Sequence, residues 1–236
     1  MTGGSRGIGR AIVRRFVEEE AKVYFTYLSS KPDAVAVSHS TKNPEHAIAM
    51  ACDVRRKEEV EKTVEAVLEK ESSLDILINN AGVIRDGLLL TMPEEDWSDV
   101  LETNLGGVAL FSKAVARQMI LQGGGRMINI SSVVAELGGF GQANYAASKG
   151  AINAFTRSLA LELAAKSTSV FSIQLIQDWL ALGEAFGGDP WENRINFPGT
   201  MGDQNWSLVM PISLEEMKSA AIHKTIKNIN VHGGRV

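Results

Sequence analysis

The sequence contains few of the residues that form covalent or metal cross-links. Only one of its 236 residues is a cysteine, Cys52, and its four histidines do not have the spacing of metal ligands. A single cysteine cannot form an intrachain disulfide, and a structural zinc site needs a recurring Cys or His pattern. We therefore expect a protein of a reducing compartment that binds no metal.

The sequence also lacks an excess of basic charge and any long apolar run. It has 24 Lys and Arg residues against 28 Asp and Glu residues, a net charge of −4, whereas nucleic-acid-binding proteins usually carry a basic surface. No apolar run approaches the roughly 20 residues that a membrane span needs, and the N-terminus does not resemble a signal peptide. We expect a soluble, cytoplasmic protein that binds neither nucleic acid nor membranes.

The first 165 residues alternate between short apolar segments and amphipathic segments, which is typical of repeated βα units. We predict strands near residues 22–27, 47–54, 75–80 and 126–131. Helices are predicted from about residue 8 and near 57–71, 94–102, 104–121 and 143–165. The pattern indicates an α/β fold with a parallel sheet covered by helices.

The composition changes after residue 167. Three of the four tryptophans follow this position, and residues 187–206 are rich in Gly, Pro, Asn and Asp, which favour turns. We therefore divide the chain into an α/β domain at 1–167 and an atypical, turn-rich segment at 168–236.

A glycine-rich loop stands directly before the first predicted helix, with the sequence TGGSRGIG at residues 2–9. Gly3 can adopt backbone angles that other residues avoid, Gly7 leaves room for a pyrophosphate, and Gly9 lets the helix pack closely on the sheet. Because a helix N-terminus attracts anions, this loop is a candidate phosphate site.

Three further segments follow in a recognisable order. They are NNAG at residues 79–82, Ser132 after a predicted strand, and YAASK at residues 145–149. Together with the glycine loop, they make residues 1 to about 165 resemble the short-chain dehydrogenases/reductases. The resemblance implies an oxidoreductase that uses a nicotinamide cofactor. It also implies a doubly wound, Rossmann-like parallel sheet and makes residues 1–167 the dinucleotide-binding reductase domain.

Tyr145 and Lys149 are four residues apart and so share one face of a helix. A nearby ammonium group favours the charged form of a phenol, so Lys149 can tune Tyr145. The resemblance implies that Tyr145 exchanges the proton with a substrate oxygen, that Lys149 also binds the nicotinamide ribose, and that Ser132 hydrogen-bonds the substrate. It further implies that Asn104 supports a proton relay.

The predicted cofactor is NADP(H). The FTYLSSK segment, at the end of the predicted strand 22–27, corresponds to the end of the family's second strand. It contains no acid that would repel a 2′-phosphate, whereas Arg6, Ser29 and Lys31 can bind one. The resemblance adds adenine contacts at residues 53–54 and a cleft at 80–82. The predicted cofactor-binding residues are Gly3, Gly4, Ser5, Arg6, Gly7, Ile8, Gly9, Ser29, Asp53, Val54, Asn80, Ala81 and Gly82, with Tyr145 and Lys149.

Within the family, residues 84–97 and 125–163 look most like 3-oxoacyl-[acyl-carrier-protein] reductases of fatty acid biosynthesis, with acetoacetyl-CoA reductases as close cousins. The resemblance implies reduction of a 3-oxoacyl thioester, carried on acyl-carrier protein or CoA, to the 3-hydroxyacyl thioester. It also implies a homo-oligomer, either a dimer or a tetramer, assembled through the helices at 104–121 and 143–165.

Two features depart from the family pattern. The glycine loop is normally preceded by a first strand, which is apparently truncated here because Met1 directly precedes Thr2. In addition, residues 169–217 resemble the C-terminal end of 4-α-glucanotransferases (amylomaltases), which suggests a chimeric chain. Two alternatives therefore stand beside the reductase: an inactive fusion or fragment, and a glucanotransferase fragment.

Overall fold

A computed structural model describes residues 1–164, 166 and 168–173 of the chain. Helices and strands alternate along this part. The helices are α1 (Gly7–Glu18), α2 (Lys31–His39), α3 (Lys57–Leu68), α4 (Glu94–Leu101), α5 (Gly107–Leu121), α6 (Val134–Leu137) and α7 (Ala143–Ala164). The strands are β1 (Val23–Tyr27), β2 (Ala47–Ala51), β3 (Ile76–Asn79), β4 (Gly125–Ile130) and β5 (Thr168–Ile173). A short 3₁₀ turn, Pro44–His46, precedes β2.

The strands form two parallel groups. β1 pairs with β2, and β4 pairs with both β3 and β5. The first residues of the chain lie between the groups: Thr2 donates its main-chain N–H to Ile78 of β3 at 2.9 Å, and Gly4 donates to Thr26 of β1, also at 2.9 Å. The predicted α/β Rossmann-like fold is thereby confirmed. Among the described residues no full strand separates β1 from β3, and residues 1–4 make the main-chain bonds to both.

Two apolar clusters hold the layers together. One joins α1, α2, β1 and β2, and its centre is formed by Val13, Val17, Phe25 and Val37. The other joins β3, β4 and β5 to α3, α5 and α7, with Val60, Phe111, Met119, Met127 and Val170 among its members. Since all of these side chains are removed from water, the ends of the strands are held at fixed positions.

The helical stretch around residue 103 differs from the prediction. We predicted separate helices at 94–102 and 104–121, but α4 continues into α5 through a π-helical turn at Glu102–Gly106. Such turns widen a helix by one residue and often occur at functional sites. Here the turn contains Asn104, whose side chain is completely buried.

Three of the labelled elements were not predicted: α2, the one-turn helix α6 and β5. α2 has a weak sequence signal because only Ala34 and Val37 are buried in it. β5 lies at the start of the range predicted to be turn-rich, yet it pairs in parallel with β4 from Gly125↔Thr168 to Ile130↔Ile173. The rest of 168–236, and with it most of the amylomaltase-like range 169–217, lies outside the described residues.

Across the described part of the chain, no helix is both long and apolar enough to cross a membrane. Within the same residues, no three His, Cys, Asp or Glu side chains cluster where they could hold a metal ion.

Candidate active site

The glycine loop folds tightly against itself at the start of α1. Gly3 has a φ of +67°, in the left-handed region that favours glycine. A Cβ atom added to Gly9 would lie 1.9 Å from the carbonyl oxygen of Gly3. The close packing predicted for Gly9 is therefore present, but its partner is the loop rather than the sheet.

Asn80, the residue directly after β3, holds this loop by hydrogen bonds. Its side-chain Nδ2 donates to the carbonyls of Gly3 at 2.9 Å and of Thr2 at 3.2 Å. In return, the Thr2 hydroxyl oxygen accepts the main-chain N–H groups of Asn80 and Ala81, each at 3.0 Å. Asn80 thus shapes the loop, a role that we did not predict, and the importance of Thr2 was also missed.

The surroundings of α1 suit a negatively charged ligand. The helix begins at Gly7 with no acidic residue in its first turn, and the exposed Arg6 precedes it. Ser29 is exposed two residues after the end of β1. Asp33 lies slightly further on, in the first turn of α2, where it accepts a hydrogen bond from the Ser30 hydroxyl.

The two predicted adenine contacts differ in their environment. Asp53 is held by Arg55, whose Nη2 and Nε donate to its carboxylate at 2.7 and 2.9 Å, and these bonds lower the pKa of Asp53. Val54 points into the core, since a Cβ atom on Gly107 would come within 2.8 Å of Val54 Cγ2. Any contact of Val54 with adenine therefore has to come from its main chain.

Tyr145 and Lys149 lie on α7, close to the end of β4. Lys149 is only 4% exposed, and its Nζ donates to the carbonyl of Ile130 at 2.7 Å. The same Nζ lies 5.6 Å from the centre of the Tyr145 ring. Ser132 follows two residues after the end of β4 and is also buried. A half-buried phenol thus lies near a buried ammonium group.

The side chain of Asn104 makes hydrogen bonds that the sequence did not predict. Its Oδ1 accepts the N–H of Val83 at 2.8 Å, and its Nδ2 donates to the Val83 carbonyl and to the Ser148 hydroxyl, each at 3.1 Å. The side chain therefore ties residue 83 to α7. A role for Asn104 in proton relay stays a prediction.

Asn144 is a further residue that the motifs did not reveal. It is completely buried, and its Oδ1 accepts the main-chain N–H of Tyr145 at 2.7 Å. Its Nδ2 donates to the carbonyl of Arg85 at 2.9 Å. Its position directly before Tyr145 was the only signal in the sequence.

Comparison with known proteins identifies the family of the chain. The model of the short chain dehydrogenase family matches residues 1–176. The chain belongs to this family. This short-chain dehydrogenase is therefore an oxidoreductase. The match covers β5 and extends beyond the boundary that we predicted at residue 167.

Several curated relatives carry the same description, 3-oxoacyl-[acyl-carrier-protein] reductase. The protein of Vibrio cholerae is 43% identical over 173 residues, which are 73% of this chain and 70% of the relative. That of Synechocystis is 42% identical over 174 residues, 73% of this chain and 70% of the relative. That of Staphylococcus aureus (strain Mu50) is 41% identical over 174 residues, 73% of this chain and 71% of the relative.

Proposed function

We propose that the protein reduces a 3-oxoacyl thioester to the 3-hydroxyacyl thioester with NADPH, as a step of fatty acid biosynthesis. The observation that carries this proposal is the description shared by relatives that are 41–43% identical to this chain. The pairing of Tyr145 with the buried Lys149 supports it, because carbonyl reduction needs a proton donor at that position.

The reaction divides between two transfers. When bound, NADPH supplies a hydride to the carbonyl carbon at position 3. Tyr145 gives its phenolic proton to the oxygen on that carbon, which becomes the hydroxyl group. The positive charge of Lys149 stabilises the phenolate that remains, and Ser132 holds the substrate oxygen by a hydrogen bond.

The glycine loop and its surroundings fit a dinucleotide phosphate. The lack of a side chain at Gly9 keeps the loop compact, since a Cβ atom there would overlap Gly3. The N-terminus of α1 offers main-chain N–H groups to a pyrophosphate. Arg6 and Ser29 would bind the 2′-phosphate, and Asp53 would contact the adenine.

The carrier and the assembly belong to the same proposal. The acyl group would arrive on acyl-carrier protein, as the names of the relatives suggest. The exposed Leu121 of α5 and Leu161 of α7 support a homo-oligomer, either a dimer or a tetramer, through these helices. A cytoplasmic location stays a prediction. The reductase domain would comprise residues 1–167 together with β5.

The test is NADPH oxidation by the purified chain in the presence of an acetoacetyl thioester of acyl-carrier protein. We expect NADPH to be consumed only when the thioester is present. The two alternatives have their own readouts: redistribution of glucose units from maltotriose would indicate a glucanotransferase. The absence of both turnover and a rise of the thermal midpoint with NADPH would indicate an inactive chain.

A further inference from the structure

A row of charged side chains runs from the predicted adenine side of the site to helix α4. Arg55 binds Asp53 through Nη2 at 2.7 Å, and its other terminal nitrogen, Nη1, binds Asp99 Oδ1 at 2.9 Å. The second oxygen of Asp99 binds Arg85 Nη2 at 2.8 Å. Asp99 is thus a bridge between two arginines that belong to different segments.

The main chain of Arg85 is connected to the predicted catalytic residue Tyr145 through Asn144. Its main-chain carbonyl accepts a hydrogen bond of 2.9 Å from Asn144 Nδ2. The Oδ1 of Asn144 in turn accepts the main-chain N–H of Tyr145 at 2.7 Å. Every contact from Asp53 to Tyr145 is therefore a hydrogen bond or ion pair of at most 2.9 Å.

The charges in this row depend on one another. The side chains of Arg55 and Asp99 are 34% and 24% exposed, so water screens them only in part. The bonds to Asp53 raise the pKa of Arg55, which remains charged. If Asp99 lost its charge, the two guanidinium groups would share no acid. The Arg85 side chain would then be held to α4 by its longer ion pair, from Nε to Asp96 Oδ1 at 3.7 Å.

We propose that Asp99 is a positioning residue for catalysis. By joining Arg55 to Arg85, it fixes the Arg85 carbonyl that orients Asn144, and Asn144 sets the backbone of Tyr145 at the start of α7. The inference rests on the proposed function for the role of Tyr145, but the positioning itself can be measured without turnover.

The first test measures hydrogen exchange of the Tyr145 amide by NMR in the wild-type protein and in Asp99→Asn. We expect exchange to become at least severalfold faster in Asp99→Asn, because the Asn144 side chain that accepts this N–H is held less firmly. Arg56→Ala is the matched control. Arg56 also lies beside Asp53, at 3.8 Å, but its side chain is 68% exposed and its other ion pair is with Glu59, not with Asp99. In Arg56→Ala the Tyr145 amide should exchange at the wild-type rate.

The second test measures kinetics with NADPH and an acetoacetyl thioester. We expect kcat of Asp99→Asn to fall roughly 10-fold, with KM for NADPH changed less than about twofold. The isotope effect with NADPH deuterated at the transferred position should rise, because the chemical step becomes slower. A smaller folded fraction would lower the rate without changing the isotope effect. Asp99→Glu, which keeps the charge, should recover part of the rate.

Unchanged exchange of the Tyr145 amide in folded Asp99→Asn would overturn the positioning role, whatever the activity. If Asp99→Asn does not fold, Arg85→Lys replaces it, since lysine keeps the charge but lacks the forked guanidinium. We expect the same increase in exchange of the Tyr145 amide in Arg85→Lys. Its absence would overturn the proposal. A wild-type protein without turnover would instead contradict the proposed function, while the exchange measurement would still decide the positioning role.

Discussion

The ammonium group of Lys149 donates a 2.7 Å hydrogen bond to the main-chain carbonyl of Ile130. This bond joins the second turn of α7 to the last residue of β4. A second bond, from the Ser131 hydroxyl to the Lys149 carbonyl at 3.3 Å, joins the same two segments. These two bonds therefore connect the segment that leads to Ser132 with the helix that carries Tyr145 and Lys149.

Replacing Tyr145 with Phe removes the hydroxyl group and keeps the ring. We expect kcat to fall at least about 100-fold, because general acid catalysis typically contributes that much or more. Binding of NADPH, measured by the rise of the thermal midpoint, should be nearly unchanged. Tyr24→Phe is the control, since Tyr24 bonds to Glu71 near the opposite end of β1; it should keep the wild-type rate. Full activity of Tyr145→Phe would exclude Tyr145 as the proton donor.

Replacing Gly9 with Ala tests the compactness of the glycine loop. The new methyl group would lie 1.9 Å from the Gly3 oxygen, so the loop or α1 has to move. We expect a loss of about 1–3 kcal/mol in the free energy of unfolding, measured in urea, and a large loss of NADPH affinity.

Gly150→Ala provides the comparison within α7. Its new methyl group would meet the Ala135 oxygen only at 3.7 Å, which is an ordinary contact. This variant should be equally stable or gain up to about 1 kcal/mol from helix propensity. Equal stability of Gly9→Ala and wild type would show that the loop tolerates the methyl group.

Replacing Arg6 with Ala tests the choice of cofactor. A charge-assisted hydrogen bond to phosphate typically contributes about 1.5–3 kcal/mol, so the Kd for NADPH should rise roughly 10-fold or more. The Kd for NADH, which lacks the 2′-phosphate, should change less than about twofold. Arg10→Ala serves as control, because Arg10 is exposed one turn further along α1. Equal losses for the two cofactors in Arg6→Ala would assign Arg6 to the shared pyrophosphate.

The ion pair of Asp53 predicts how stability depends on pH. Hydrogen bonds from Arg55 lower the pKa of Asp53 below its ordinary value of 3.8. The stabilisation is therefore complete above the unfolded-state pKa and is lost as the pH falls through the lower folded-state pKa. We expect the free energy of unfolding to fall less steeply between about pH 5 and pH 3 in Asp53→Asn than in the wild type.

The control for this measurement is Glu61→Gln. Glu61 is half exposed and pairs with Lys57 only at 3.8 Å. Its removal should leave the pH dependence as in the wild type. If Asp53→Asn had the same slope as the wild type, the Asp53–Arg55 pair would not contribute to acid sensitivity.

Much of the fold followed from local pattern. The strands at β1 to β4 and the helix around Tyr145 were predicted because their apolar residues repeat with the period of each element. α2 was not, since it buries little, and β5 was not, because its composition resembled that of the segment after it. Parallel pairing with β4 is a long-range contact that local composition does not reveal.

The site shows a similar division. The motifs indicated Gly3, whose positive φ favours glycine, and the predicted catalytic residues Ser132, Tyr145 and Lys149. The roles of Asn80, Asn144 and Asp99 depend on partners distant in the sequence, such as Gly3 and Arg85. Only the folded chain shows which of their many potential hydrogen bonds are formed.

The most direct measurement follows the hydride itself. The purified chain is incubated with NADPH carrying deuterium at the transferred position and with an acetoacetyl thioester, and the product is examined by mass spectrometry. Our account predicts a 3-hydroxybutyryl thioester with one deuterium on carbon 3, and almost none of this product with Tyr145→Phe. A product without deuterium, or no product from the folded wild-type chain, would contradict it.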